Sequence, residues 1–258
     1  MKYMGSKSRI AKYIVPILQD LIDKHSITTY VEPFVGGANI IDKIQCTHKV
    51  GGDRQRYLIE LYKNLDKIDE LPENVSADHY AEVRECFRNG NQCFPDWYIG
   101  AVGFLASYNG RFFDGGYAGT VLTKAGIVRN YYQEARRNLE RQIPQLQGID
   151  FLFGDYRVTC DHFENALIYC DPPYMGTQQY NSNPEFYHEE FWDWCRYMSE
   201  KNIVLVSETT ARDDFVCVWE HPVTRTLDNK SRKTTTERLF CHSECWRYWP
   251  EEGDEWMY

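Results

Sequence analysis

The sequence lacks any apolar run of 18 or more residues, so no transmembrane helix is predicted. Residues 1–7 also lack the apolar core of a signal peptide. Positive charge is scarce, with 29 Lys and Arg against 38 Asp and Glu, a net charge of −9 and a pI of about 5.3. This balance counts against a protein that coats nucleic acid nonspecifically, although a site-specific enzyme can concentrate its cations on one face. We expect a cytoplasmic protein with no membrane partner.

Metal-ligand patterns are scarce too. The nine cysteines are expected to be reduced thiols in a cytoplasmic protein. Cys241, His242 and Cys245 lie close together in the sequence, but no second ligand pair accompanies them. We therefore predict no metal site.

What the sequence does contain is an apolar run, residues 166–169, that leads through Cys170 into Asp171, Pro172, Pro173 and Tyr174. The run predicts a buried strand, and the prolines end it because they have no N–H to donate. Asp171 and Tyr174 are then expected at the carboxyl end of a strand, where open α/β sheets place their ligands. The alternative is a strand that happens to end in a proline turn.

A second pattern, residues 28–41, reads as a strand, a glycine turn and a helix. Gly36 and Gly37 would let a ligand approach the backbone at a helix N-terminus, although the third glycine of the dinucleotide fingerprint is missing. A short strand then ends at Asp53, the position where Rossmann-type folds hold ribose hydroxyls. The alternatives are a tight turn without a ligand and, for Asp53, a helix-capping acid, because residues 54–65 look helical.

The alternation of strands and helices stops at residues 66–127. Within this stretch, residues 108–119 mix glycines and aromatics around Asn109 and Arg111, and such a loop can bend, stack and reach a base edge. The alternative is a packed aromatic loop between helices.

Regular structure is expected again further on. We predict helices over 128–146 and 184–200 and strands over 151–153, 203–207, 215–219 and 238–242. A basic loop, residues 229–236, is either solvated or in contact with phosphates.

The motifs occur in one order that resembles the Dam-like family of DNA adenine N6-methyltransferases, in the short form carried by phages. The matching segments are residues 3–7, residues 32–37, Asp53, residues 154–156 and residues 171–174. The resemblance implies an α/β, Rossmann-like class I methyltransferase core at 1–65 and 128–258, with a small, mainly helical and loop target-recognition insert at 66–127. It implies S-adenosyl-L-methionine as cofactor and double-stranded DNA as partner, in a bacterial or phage-infected cell. We expect a monomer.

The family's roles carry over residue by residue. Asp171 and the Pro172 carbonyl would accept hydrogen bonds from the target amine, Pro173 completes the motif, and Tyr174 would stack on the flipped base. The implied cofactor-binding residues are Tyr3, Lys7, Glu32, Pro33, Phe34, Gly36, Gly37, Asp53, Asp155, Tyr156 and Asp171. The best DNA-binding candidates are Asn109, Arg111, Lys230, Arg232 and Lys233.

Two other functions remain open. One is a methyltransferase that acts on RNA or on protein glutamine, although those relatives usually have asparagine where this chain has Asp171. The other is a noncatalytic module that binds DNA and the cofactor, which the intact Asp53, Asp171 and Tyr174 argue against.

Overall fold

The structure, a computed structural model, describes residues 1–174, 186–226 and 232–248, without the side chains of residues 224–226, 232–234 and 246–248. Its strands are β1 (Thr29–Glu32), β2 (His48–Asp53), β3 (Thr120–Leu122), β4 (Val128–Asn130), β5 (Ile149–Phe153), β6 (Leu167–Cys170), β7 (Ile203–Glu208), β8 (Phe215–Thr226) and β9 (Arg232–His242). Its α-helices are α1 (Ala11–Lys24), α2 (Arg56–Lys63), α3 (Ala77–Arg88), α4 (Asp96–Leu105), α5 (Tyr131–Leu146), α6 (Tyr156–Cys160) and α7 (His188–Ser199).

A seven-stranded sheet organises the fold, in the order β5-β2-β1-β6-β7-β9-β8. The first five strands in this order pair in parallel, and β9 and β8 add an antiparallel hairpin at one edge. Counted along the chain, the parallel part has the doubly wound order 3-2-1-4-5, which reverses between β1 and β6. This topology confirms the predicted Rossmann-like α/β fold.

The central strands are buried on both faces, as expected for a parallel sheet covered by helices. Along β1 and β6, alternate side chains enter two different hydrophobic clusters: Tyr30 and Tyr169 join one, and Val31 and Ile168 join the other. The first cluster includes buried side chains of α1, α2, α4 and α5, and the second includes those of α7. The period-2 alternation of the strands therefore builds a core on each side of the sheet.

The insert at 66–127 shares the first cluster with the rest of the protein. Side chains of α3 and α4 pack in the same cluster as those of α1 and α2. Helix α4 approaches α2 so closely that a Cβ at Gly100 would lie 2.1 Å from the carbonyl oxygen of Tyr57. The insert is thus docked through a common core, while its exact boundaries stay a prediction.

Two sequence-based boundaries were wrong. The helix expected from residue 128 begins at Tyr131, because residues 128–130 pair with residues 120–122 as an antiparallel hairpin. The final strands are longer than predicted, since the ladder of β8 and β9 continues to the pair Thr226 and Arg232. In both places a partner strand recruits residues that read locally as helix or loop.

In the described part of the chain, no helix is long and apolar enough to cross a membrane. Nor do three His, Cys, Asp or Glu side chains among those residues come together as a metal site would require. Of the residues Cys241, His242 and Cys245, which are close together in the sequence, Cys245 is buried and its thiol lies 3.6 Å from the carbonyl oxygen of Ser199.

The contact between α4 and α2 predicts that Gly100→Ala destabilises the protein. An alanine normally favours a helix over glycine by ~1 kcal/mol, but its methyl group would collide with the α2 backbone at a cost of ~1–3 kcal/mol. Urea unfolding measures the change in free energy. The exposed Glu85→Ala in α3 is the control, with an expected change within ~0.5 kcal/mol. A Gly100→Ala protein more stable than wild type would contradict the packing described here.

Candidate active site

The carboxyl ends of the parallel strands bring acidic side chains to one edge of the sheet. Glu32 ends β1, Asp53 ends β2, Glu208 ends β7, and Asp171 directly follows β6. Strand β9 runs the other way, and its Arg238 pairs with Glu208, so that Glu237 extends to the same edge. The point where the strand order reverses, between β1 and β6, therefore lies at the centre of an acidic sheet edge.

The ammonium group of Lys7 lies between two of these acids. Its Nζ is 3.1 Å from Oδ1 of Asp171 and 3.1 Å from Oε2 of Glu237. The same group donates to the Tyr174 hydroxyl and lies 4.2 Å from the centre of that ring. A 3₁₀ helix, Lys7–Arg9, presents the lysine, and Ser6 caps this helix by accepting from the Ser8 N–H. The structure thus joins the N-terminal motif to the Asp-Pro-Pro-Tyr motif.

The electrostatic environment of Asp171 favours a carboxylate that is ionised near neutral pH but easily protonated below it. Burial raises the pKa of Asp171 to about 6, and the Lys7 ammonium opposes the rise. The carboxylates of Glu237 and Glu208 raise this pKa further. Pro172 beside it is buried and Pro173 is exposed.

Asp53 closes the glycine turn. Its Oδ2 accepts from the Gly36 N–H at 3.0 Å and its Oδ1 from the Gln55 N–H at 2.9 Å. Burial raises the pKa of Asp53 to about 6, against the effect of these N–H groups. The capping alternative for Asp53 was wrong, because the side chain that caps α2 belongs to Gln55.

The glycine turn packs against Tyr3. A Cβ at Gly36, whose φ is +45°, would lie 3.1 Å from the Tyr3 ring, and one at Gly37 would lie 2.9 Å from the Tyr3 Cβ. These glycines therefore leave room for a predicted cofactor residue. The helix expected after them is only a 3₁₀ turn, Ile41–Lys43, because the backbone turns through Ala38 with a φ of +53°.

Three further predicted cofactor residues, Glu32, Phe34 and Asp155, contact other side chains of the protein. Glu32 is buried at the end of β1 and accepts from the Tyr30 hydroxyl at 2.7 Å, and burial raises the pKa of Glu32 well above its ordinary value. Phe34, next to Pro33, lies 5.5 Å from the Tyr156 ring. Asp155 caps α6 and binds the Arg157 side chain, so it is engaged within the protein itself.

The predicted recognition loop faces two ways. Phe112 and Phe113 are buried, where they contact the rings of Phe87 and Phe104, so the packed alternative is correct for these two aromatics. Tyr108 is half-exposed, at 51%. A Cβ at Gly110, two residues further on, would lie 2.4 Å from the carbonyl oxygen of Lys2, which places this part of the loop beside the N-terminal motif.

Asn109 and Arg111 lie on either side of Gly110 in this part of the loop. Asn109 is exposed and has a φ of +57°. Arg111 is half-buried, and among the described residues its Nε has no hydrogen-bond partner. The structure thus places Asn109 at the surface, whereas Arg111 is half-buried and its Nε is enclosed by the protein.

The remaining basic residues give less support to phosphate binding. Lys230 lies outside the described residues, and for Arg232 and Lys233 only the backbone, in β9, is described. The predicted helix over 128–146 contains four arginines, of which Arg129 and Arg136 bind groups within the protein and Arg137 and Arg141 are exposed. Arg129 binds Glu134 through two nitrogens, and Arg136 binds Glu140 and the carbonyls of Leu71 and Pro72.

Comparison with known proteins identifies the family. A model of the D12 class N6 adenine-specific DNA methyltransferases matches residues 3–101 and 117–201, which is more than half of the chain. The chain belongs to this family. This membership confirms the predicted relationship to adenine DNA methyltransferases and makes the protein an enzyme of that kind.

Named relatives agree with the family. The Type II methyltransferase M.MjaIII of Methanocaldococcus jannaschii is 24% identical over 216 residues, covering 75% of this chain and 74% of the relative. M.FokI of Planomicrobium okeanokoites is 22% identical and the modification methylase StsI of Streptococcus sanguinis is 25% identical, over 82% and 75% of this chain. The chain spans only 34% and 31% of those two longer proteins.

A solved rRNA methyltransferase, aviRa from Streptomyces viridochromogenes, aligns over 92% of this chain and 88% of that chain, with a TM-score of 0.36 and 9% identity.

The family match omits residues 102–116, the interval that contains Asn109 and Arg111. The family match therefore does not extend to the loop where target recognition was predicted.

Sequence reasoning missed Glu237 and Ser207, both of which contact Tyr174. It also missed the hairpin of β3 and β4, where Leu122, Ile127 and Val128 are 61–72% exposed. The run of three β-branched threonines at 234–236, just before Glu237, was a signal for a strand, but the neighbouring lysines and arginines favoured a loop. Nothing local to Ser207 indicated a partner in the Asp-Pro-Pro-Tyr motif.

The pKa of Asp171 predicts that the catalytic rate falls in acid. Below about pH 6 this carboxyl gains a proton and loses an acceptor, so kcat at saturating cofactor should fall roughly tenfold per pH unit. A pH series of single-turnover rates measures this. Asp53→Asn should keep the same decline in kcat, because Asp53 is expected to act in cofactor binding. A rate that stays flat from about pH 8 to about pH 5 would contradict the assignment of Asp171 as the catalytic acceptor.

Proposed function

We propose that this protein transfers a methyl group from S-adenosyl-L-methionine to N6 of adenine in double-stranded DNA, at a base flipped out of the helix. The observation that carries the proposal is the position of Asp171. It lies at the strand-order reversal, with a carboxylate that Lys7 holds in place and with Tyr174 beside it. The family supports methyl transfer to adenine in DNA, and the geometry supports this edge as the place where it occurs.

The chain's own residues can make the amine reactive. The exocyclic nitrogen of adenine is a poor nucleophile because its lone pair is delocalised into the ring. Asp171 and the Pro172 carbonyl offer two acceptors for its two N–H groups, which favours a tetrahedral nitrogen with a free lone pair. Asp171 suits this role because its pKa of about 6 leaves it ionised at neutral pH.

The acidic sheet edge fits the methyl donor. When bound, S-adenosyl-L-methionine supplies an electrophilic methyl group on a positively charged sulfonium. The carboxylates of Asp171, Glu208 and Glu237 outnumber the Lys7 ammonium at this edge, and an excess of negative charge suits a cation. Asp53 adds a carboxylate at the end of β2, where each oxygen keeps a second lone pair for a ribose hydroxyl.

Two kinds of contact offset the cost of extruding the base: one to the flipped base itself, and one to the gap that it leaves in the base stack. Flipping costs a few kcal/mol, and a stack on the Tyr174 ring contributes ~1–3 kcal/mol. The hairpin of β3 and β4 presents exposed Leu122, Ile127 and Val128, which are the kind of apolar side chains that fill a disrupted base stack. We assign this hairpin, together with the exposed part of the 108–111 loop, to the DNA-facing surface.

The proposal predicts that Asp171→Ala and Asp171→Asn fold but transfer no methyl group. The asparagine keeps the volume of the side chain and removes its charge, so a shared loss cannot be ascribed to a cavity. Isotopically labelled methyl transfer to DNA, followed by nucleoside mass spectrometry, measures both turnover and product. The exposed Asp150→Asn, whose side chain is 68% exposed and pairs with His48, is the control with normal turnover.

Wild-type protein should yield N6-methyldeoxyadenosine. Near-normal turnover in either Asp171 variant would remove the catalytic role of this residue. Label that appears in RNA and not in DNA would establish the RNA alternative, and cofactor binding without any transfer would establish the noncatalytic module.

Arg111 is predicted to help select the methylated sequence. Its guanidinium has the donor fork that pairs with guanine in the major groove, and loss of one such contact costs ~1–3 kcal/mol in discrimination. Arg111→Ala should relax or shift the motif that is methylated in a random-sequence DNA pool, with cofactor affinity unchanged. An equal loss of activity at every sequence would make Arg111 a phosphate-binding or packing residue.

A further inference from the structure

The hydroxyl of Tyr174 is held by three side chains. It donates to Oε2 of Glu237 at 2.7 Å and lies 2.8 Å from the hydroxyl oxygen of Ser207, while Lys7 donates to it. All three partners are buried, with side-chain exposures of 4% for Glu237 and 7% for Lys7 and a residue exposure of 0% for Ser207. The hydroxyl is thus enclosed, on segments that come from three distant parts of the chain.

This enclosure is more than stacking requires. A flipped base needs only the face of an aromatic ring, which phenylalanine also offers. A buried carboxylate is costly unless it is paired and hydrogen-bonded, and Glu237 meets this condition through Lys7 and Tyr174. What the arrangement provides is a fixed position for the ring.

The direction of the hydrogen bond is also set. Burial, together with the carboxylates of Asp171 and Glu237, raises the pKa of Tyr174 well above its ordinary value. The phenol therefore keeps its proton and donates it to the Glu237 carboxylate, which is a charge-assisted bond and stronger than a bond between neutral groups.

We propose that Glu237 is a positioning residue, which holds the Tyr174 ring by its hydroxyl so that the stacked adenine presents its amine to Asp171. This inference rests on the proposed function, since it concerns how that site orients its base. Glu237 touches neither the base nor the cofactor in this role, and acts through the tyrosine. It makes Glu237 on β9 part of the active site.

A second route could connect Glu237 to catalysis. Lys7 bridges Glu237 and Asp171, so loss of the Glu237 charge would also draw the ammonium closer to Asp171. The two routes differ in a Tyr174→Phe protein, which has no hydroxyl to hold. If Glu237 acts through the tyrosine, a change at Glu237 does not lower the methyl-transfer rate of the Tyr174→Phe protein further. If Glu237 acts through Lys7, the change lowers that rate as much as it does in the wild-type protein.

The test is a double-mutant cycle of Tyr174→Phe, Glu237→Gln and the double variant. Single-turnover rates at saturating cofactor and DNA, and KM for each, are measured on DNA that wild-type protein methylates. Each single change should lower the single-turnover rate at saturating cofactor about tenfold, the size of a lost charge-assisted bond. KM for the cofactor should be unchanged in Tyr174→Phe, and should rise in Glu237→Gln only through the charge that this variant removes from the acidic edge. The double variant should be no slower than Tyr174→Phe. Glu220→Gln, in the same hairpin with a side chain that is 60% exposed, is the control with the wild-type rate.

Ser207→Ala keeps the test decisive if Glu237→Gln does not fold. It removes another bond to the same hydroxyl, and its effect should likewise vanish in the Tyr174→Phe background. Wild-type rates in Glu237→Gln would overturn the inference, and so would an undiminished effect in the Tyr174→Phe background. A wild-type protein that methylates no adenine would instead defeat the proposed function, and the inference with it.

Discussion

The contact on which the site depends is the Lys7 ammonium between the carboxylates of Asp171 and Glu237. These groups come from a 3₁₀ turn near residue 7, the loop after β6 and the antiparallel strand β9, and the ammonium holds all three together. Any one of the charges would be costly to bury alone, so each requires the others. The same ammonium contacts Tyr174, and the ion pairs therefore fix the acid and the aromatic ring of one motif at once.

The parallel sheet supplies the second constraint. Because the carboxyl ends of its strands meet at one edge, residues that are far apart in the chain become neighbours there. Asp53 and Gly36, which are 17 positions apart, are joined by a hydrogen bond, and Glu32 and Asp171 flank the strand-order reversal. These acidic side chains are thus concentrated at the end of the strands where open α/β sheets place their ligands.

Sequence patterns predicted the parts of this site that are encoded locally. An apolar run before two prolines located β6 and Asp171, and a glycine turn followed by a strand located Asp53. The patterns failed where distant partners decide the outcome. Residues 128–130 form a strand because residues 120–122 pair with them, and Glu237 reaches the site only because β9 pairs with β7. Phe112 and Phe113 read as a stacking surface, but neighbouring aromatics of the insert bury them.

The most direct measurement is a crystal structure of the protein with target DNA and sinefungin, an unreactive analogue of the cofactor. The account predicts an extruded adenine with its ring on Tyr174 and its N6 within about 3 Å of the Asp171 carboxylate. It also predicts that Glu237 still accepts from the Tyr174 hydroxyl in that complex. An adenine whose amine lies away from Asp171, or a flipped cytosine in the same place, would contradict it.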